Sequence, residues 1–195
     1  MSPCPARPPN GPMPRPIRCP LRSAPGCGWA REAVLHWLPQ ETILFDRCAL
    51  DRRLRIEMPA SARFLGVETL VFGRTAMGER LASGRLTDRW DLFRDGRRVF
   101  ADALRLDGDL PARLASPFGA AGCGALATVV YAAPDAAAHL ADLRAGLPAL
   151  SGLSCPTDGV LLARLLATDS YALRAQLVPL LERLARAPIP KVWRL

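Results

Sequence analysis

The sequence predicts a mainly β fold, with layered antiparallel or β-helix-like sheets followed by two C-terminal α-helices in a β-α-β-α arrangement. Three observations carry this expectation. Apolar residues recur with a period near two from Val34 to about Leu106. Asp95-Gly96 lies between two alternating runs, a strong hairpin signal. Beyond Ala125, apolar runs alternate with leucines at helical spacing.

The elements follow in order. Ile43, Leu44 and Phe45 end a first strand, and Leu54 to Met58 alternates cleanly. Arg63 to Phe72 reads as a long strand whose Gly66 marks a bulge or a close backbone approach. Arg89–Arg94 and Arg98–Ala101 flank the Asp95-Gly96 turn, and Leu104 to Leu106 extends the second arm. This half is expected to be antiparallel. Ala125 to Ala132 is an apolar strand, and Pro134-Asp135 opens a helix to about Leu147. Gly159 to Ala167 is another strand. Asp169 or Ser170 then caps a helix to about Arg186, with Leu173, Leu177, Leu180, Leu181 and Leu184 as its apolar stripe. Pro179 is expected to kink that helix, because it removes a backbone donor from its interior.

Residues 1–31 form a separate block. Nine of the nineteen prolines fall there, with interleaved glycines and no apolar periodicity, so the leader is expected to be disordered or polyproline-like. Residues 32–195 are expected to form one domain. The formal charge of +8 does not point to nucleic acid, because the leader holds five arginines and no acid. The remainder has 21 basic against 18 acidic residues. Half the residues are apolar, with no long uninterrupted apolar window and no secretory pattern, so a soluble cytoplasmic protein is expected. Cys4, Cys19, Cys27, Cys48, Cys123 and Cys155 form no Cys-x-x-Cys pair, which disfavours a structural zinc site or a disulfide framework.

Enzymatic chemistry finds little support. The histidines are His36, at the start of a strand, and His139, on a helix flank. No nucleophile-elbow, phosphate-loop or dinucleotide motif accompanies them. No catalytic residue and no tightly bound cofactor are expected. The acids Glu41, Glu68, Glu79, Asp88 and Asp102 lie in or beside strands, where a carboxylate must be solvated, paired or bound to a cation.

Several segments are distinctive. One is His36-Trp37-Leu38-Pro39-Gln40-Glu41-Thr42-Ile43-Leu44-Phe45, in which a proline interrupts a strand-like run. Another is Phe72-Gly73-Arg74-Thr75-Ala76-Met77-Gly78-Glu79, whose glycines permit a sharp turn. Asp88-Arg89-Trp90 precedes Asp95-Gly96 and Phe100-Ala101-Asp102, and Pro190-Lys191-Val192-Trp193 lies near the C-terminus. Together, in this order and spacing, they resemble the urease accessory protein UreD (UreH) family over about residues 34 to 195.

The resemblance implies a non-enzymatic scaffold that assists nickel insertion into apo-urease, in complex with UreF and the GTPase UreG. It also implies a water-filled route through the protein for a transient nickel ion. Nickel accepts carboxylate, imidazole and water, and a relay must bind it through few ligands. Glu41 and Glu79 are the candidate passage residues. The alternative for Glu41 is an ion pair with an arginine such as Arg74. Arg74, Gly78 and Glu79 form either a structural loop or a contact with a partner or the ion path. Asp88 and Trp90 share one strand face, with Trp90 an anchor in the core or at an interface. Trp193 packs on its own domain or on a partner. Family members are longer, so the chain is expected to be truncated at its N-terminus, with a leader from another reading frame and poor solubility in isolation. The rival readings are an inactive fragment of such a scaffold and a small β-rich enzyme of unknown chemistry.

Overall fold

The chain alternates between two facing sheets, and this winding decides which strands become neighbours. A computed structural model describes residues 32–73, 78 and 81–194, together with the backbone of 17–21. In chain order the strands are β1 (Ile17–Leu21), β2 (Val34–Trp37), β3 (Thr42–Leu44), β4 (Cys48–Met58), β5 (Arg63–Phe72), β6 (Ser83–Arg94) and β7 (Arg97–Asp109). The short helix α1 (Leu110–Ala115) and strand β8 (Ala125–Ala132) follow. A 3-10 turn (Ala136–His139) then leads into α2 (Leu140–Ala145). The chain continues through β9 (Gly152–Thr157), β10 (Val160–Ala167) and α3 (Ser170–Ala185) to a 3-10 turn at Lys191–Arg194.

Sheet A has the order β1-β4-β6-β7. Sheet B has the order β2-β5-β8-β10-β9, with β3 also paired to β5. The mainly β class is as expected. The antiparallel expectation for that half needs correction. β4 runs parallel to β1 and β6, and β2 and β3 both run parallel to β5. Within this half, β6 and β7 form the antiparallel pair. The reason is physical: a period of two reports which face a residue occupies, not the direction of the neighbouring strand. Strands β4, β5 and β6 pass from sheet A to sheet B and back, so sheet neighbours lie two steps apart along the chain. Of the leader expected to be disordered, Ile17–Leu21 are described, and they run as a strand beside β4.

Local chemistry explains the well-defined ends. The β6–β7 turn puts Asp95 and Gly96 at φ 49° and 77°, the positive values that a tight hairpin requires. The Asp169 side chain caps α3 by accepting from the Ala172 N–H at 2.8 Å. Helix α3 continues through Pro179, which lies on the exposed side with Ala175, whose carbonyl loses its helical donor there. Strand β9 and helix α1 were not expected. β9 contains Pro156 and forms a sheet edge, where a missing N–H is tolerated.

Sheet B is covered on both faces. The leucine stripe of α3 packs on Leu65, Val67, Val129, Leu161 and Leu165. The opposite face meets sheet A, and there the apolar interior is divided in two. One part holds Leu54, Ile56, Phe64, Trp90, Phe100 and Val130. The other holds Leu44, Leu70, Phe72, Leu86, Leu110 and Leu126.

Candidate functional site

What divides the two apolar compartments is a layer of polar side chains, one from each of six strands. In β4, Arg52 sits between Leu50 and Leu54; in β6, Asp88 sits between Leu86 and Trp90. In β7, Asp102 lies between Phe100 and Leu104, and in β10, Arg164 lies between Leu162 and Leu166. Glu68 of β5 and Thr128 of β8 complete the level. Strand register aligns Arg52 with Asp88, Glu68 with Thr128, and Thr128 with Arg164.

The layer is cross-linked through the sandwich. Arg52 Nε and Nη2 donate to both Asp88 oxygens at 3.1 and 2.6 Å. Its Nη1 reaches Glu68 Oε2 at 2.6 Å and Thr42 Oγ1 at 3.1 Å. Trp37 Nε1 donates to Glu68 Oε1 at 3.0 Å. At the far end Arg164 Nη2 meets Asp102 Oδ2 at 2.5 Å. Three carboxylates thus face two guanidiniums, leaving the layer one negative charge in excess. Burial pushes the Glu68 carboxyl above its ordinary range, opposed by Arg52 and the Trp37 hydrogen bond and reinforced by Asp88. Exposure rises along the layer, from 4% for the Glu68 side chain to 32% for Arg164.

The other end of the layer meets a break in the edge of sheet B. β2 ends with Trp37 opposite Gly66, and β3 begins with Thr42 opposite Leu70, so Glu68 faces the gap. Pro39, half-buried in that gap, has no N–H to continue the ladder. The last residue of β2 and the first of β3 both send polar groups into the layer.

Outside the sandwich the same loop is held by α3 and the C-terminal turn. Arg174 donates to both Glu41 oxygens, with Nη2 at 2.8 Å from Oε2, and to Gln40 Oε1 at 2.8 Å. Its guanidinium lies 5.5 Å from the centre of the Trp193 ring, and Trp193 Nε1 donates to the Leu38 carbonyl at 3.1 Å. The hydrogen bond from Arg174 holds the Glu41 carboxyl below its ordinary range against a smaller effect of burial. Glu41 therefore has an arginine partner, and that partner is Arg174.

The remaining expected residues fall as follows. Trp193 is buried against its own domain, and its N–H donates back to the Pro190 carbonyl at 3.0 Å. Trp90 is buried and meets Phe64 edge to face, with 6.4 Å between centroids. Gly78 is exposed at φ 73°, as a sharp turn requires. Arg74 and Glu79 lie outside the described residues. His36 lines a cavity of about 250 Å³ with Arg63, Tyr131 and Arg186. His139 lies 3.6 Å from Asp135. Among the described residues, no three His, Cys, Asp or Glu side chains group to hold a metal. No helix of those residues is long and apolar enough to cross a membrane.

Sequence reasoning missed Arg52, Thr128, Arg164 and Trp37. A signal was present in the first and third: an arginine with leucines two residues away on both sides, within a strand, marks an inward-facing charge.

Comparison with known proteins bears on this arrangement. The profile described as "UreD urease accessory protein" matches residues 29–194. A urease accessory protein UreD of Ruegeria pomeroyi is 48% identical over 164 residues, covering 84% of this chain and 64% of that protein. A UreD of Xanthobacter autotrophicus is 49% identical over 164 residues, covering 83% of this chain and 56% of that protein. One of Bradyrhizobium, named UreD 3, is 45% identical over 167 residues, covering 84% and 59%. The chain spans roughly three-fifths of the length of the curated relatives it matches.

Proposed function

The chain belongs to the UreD family of urease accessory proteins, and from that premise we propose that it acts in the cytoplasm as a non-catalytic scaffold for nickel insertion. It bridges apo-urease and a complex of UreF with the GTPase UreG. The nickel ion is cargo, held transiently and passed along the polar layer. The observation that carries this reading is the level of three carboxylates and two guanidiniums between the sheets, buried at Glu68 and Asp88 and part-exposed toward Asp102 and Arg164, with a formal excess of one negative charge.

The chemistry suits a relay. A closed cage of thiolates and imidazoles would retain nickel, whereas paired carboxylates offer attraction without a complete coordination shell. An apolar wall on both sides raises the strength of each charge interaction and confines the ion to the layer. Glu41 stands at the edge break where the layer reaches the rim of sheet B, and it serves as an entrance residue in this reading. Glu79, which lies outside the described residues, is proposed as a second passage residue on sequence grounds alone.

Expression of the chain in a strain lacking its own UreD tests the function. The expected outcome is recovery of urease activity and urease-bound nickel, with UreF, UreG and urease co-purifying. Co-purification without nickel in urease would reduce the role to assembly alone. Absence of both nickel loading and co-purification would refute it.

A further inference from the structure

The two sheets differ in what meets their outer faces. Sheet B is packed by the leucine stripe of α3, whereas no outward side chain of β4, β6 or β7 joins an apolar cluster of the described residues. Strand alternation turns Arg53 and Arg55 of β4, Arg85 and Arg89 of β6, and Arg98 and Arg105 of β7 to that side. The acids Asp51, Glu57, Asp91 and Asp107 share it, so arginine is in excess there. Most of these arginines have an acid. Arg53 donates to Asp91 Oδ2 at 3.0 and 2.7 Å, and the same buried carboxylate faces Arg98 at 3.5 Å. Arg55 meets Glu57 at 2.6 Å, and Arg85 and Arg105 lie 3.7 and 3.8 Å from Asp107. Arg89 is exposed and makes no ion pair or side-chain hydrogen bond among the described residues. It is also the member of Asp88-Arg89-Trp90 that the inner layer does not use, since its neighbours point between the sheets.

We propose that the outer face of sheet A, centred on Arg89, docks an acidic protein surface. Register sets Arg89 beside Arg53 on β4, and Arg53 beside Arg18 on β1, so a row of arginine positions crosses three adjacent strands. Strands lie only about 4.8 Å apart, so like charges side by side on one face repel, and the fold itself gains nothing from Arg89. On its other side Arg89 is level with Ala103, and both Ala103 and Ala101 are exposed, which leaves room beside the guanidinium. Guanidiniums match carboxylates in two-pronged hydrogen bonds, and a partner's acids would complete the row. The face suits protein better than the other polyanions. A nucleic-acid surface uses free aromatics for stacking, but here Phe93 lies under the Arg55 guanidinium, 3.9 Å from its ring centre. Membrane docking needs apolar anchors, and none of the exposed large apolar side chains lies on this face.

This inference takes its candidate partners from the scaffold reading, and its test is separable from it. The full chain is compared with Arg89→Glu and with Arg183→Glu, a reversal on α3 that changes the net charge equally. Each is titrated with poly-L-glutamate, then with purified UreF, UreG and apo-urease singly. Arg89→Glu is expected to weaken binding of poly-L-glutamate, and of one of the three proteins, at least about tenfold at low salt. Arg183→Glu should change either affinity by less than about threefold, and the Arg89 effect should shrink as salt rises. Arg89→Glu should not lower the unfolding midpoint, because it sets opposite charges side by side across β4 and β6. If it does not fold, Arg89→Ala removes the charge alone and should still weaken binding about threefold or more. Affinities unchanged by the Arg89 variants, or changed equally by Arg183→Glu, overturn the docking face. Tighter Arg89-dependent binding of duplex DNA or of phosphatidylserine vesicles than of any protein overturns it too. If poly-L-glutamate binds through Arg89 but none of the three proteins binds, the face stands and the scaffold reading falls. If the proteins bind and ignore Arg89, the scaffold stands and the face falls.

Discussion

Glu68 and Glu41 lie on either side of the same break in sheet B, each bonded to an arginine, yet their carboxyls shift in opposite directions. Glu68 is raised because burial between the sheets outweighs the pull of Arg52. Glu41 is lowered because the Arg174 hydrogen bond outweighs a lesser burial. The difference teaches that an ion pair is not one kind of object. The outer pair fastens a loop to a helix and the C-terminal turn. The inner set shares one guanidinium between two acids and keeps a charge unbalanced, which is a poor device for stability and a suitable one for attracting a cation.

The largest effect expected from a single change falls on the inner set. Asp88→Ala leaves Arg52 with half its partners in an apolar surround and should cost about 3–5 kcal/mol, measured by urea unfolding. A loss below ~1 kcal/mol would mean that the layer is hydrated well enough to screen it. Gly66→Ala comes next. A Cβ there would stand 2.5 Å from Phe64 Cζ and 2.9 Å from the Trp90 ring, both buried beside the layer. Overpacking of this kind costs ~1–3 kcal/mol, and Gly66→Ser should be no better.

The outer pair should respond less. Glu41→Gln keeps a neutral acceptor for Arg174 and is expected to cost about 0.5–1.5 kcal/mol near neutral pH, the net worth of an ordinary hydrogen bond. The pH dependence sharpens the contrast. A carboxyl lowered in the folded state contributes stability above its unfolded value, and loses it as pH falls through the folded value. The cost of Glu41→Gln should therefore shrink on acidification below the ordinary value of 4.5. A raised carboxyl works the other way: stability falls as pH rises from 4.5 toward the folded value. The cost of Glu68→Gln should accordingly shrink as pH rises through that window. Parallel slopes for the two variants, measured by chemical unfolding across that range, would erase the distinction between the two sites.

Much of the fold was legible because it is written locally. The apolar run of β8, interrupted only by Thr128, the Asp95-Gly96 turn, the long β5 and the capped, leucine-striped α3 all signal themselves within one element. Strand direction was not legible, because alternation is identical in parallel and antiparallel ladders. The polar layer was only half legible. Asp88 and Asp102 belong to motifs singled out in the sequence, and Glu68 was noted among the strand acids. Their arginines were not identified, because Arg52 meets Asp88, and Arg164 meets Asp102, only once distant strands are set in register. The partner of Glu41 was harder still: Arg174 lies on a helix 133 residues away.

The most direct test of a relay through the inner layer compares urease-bound nickel in strains lacking their own UreD and carrying this chain, its Glu68→Gln/Asp88→Asn variant or its Glu41→Gln variant. Equal amounts of each soluble protein and equal recovery of UreF with it are verified first. The layer variant should leave urease largely without nickel, while Glu41→Gln retains a substantial part of the loading. Nickel content in the layer variant equal to that of the unsubstituted chain would contradict passage between the sheets.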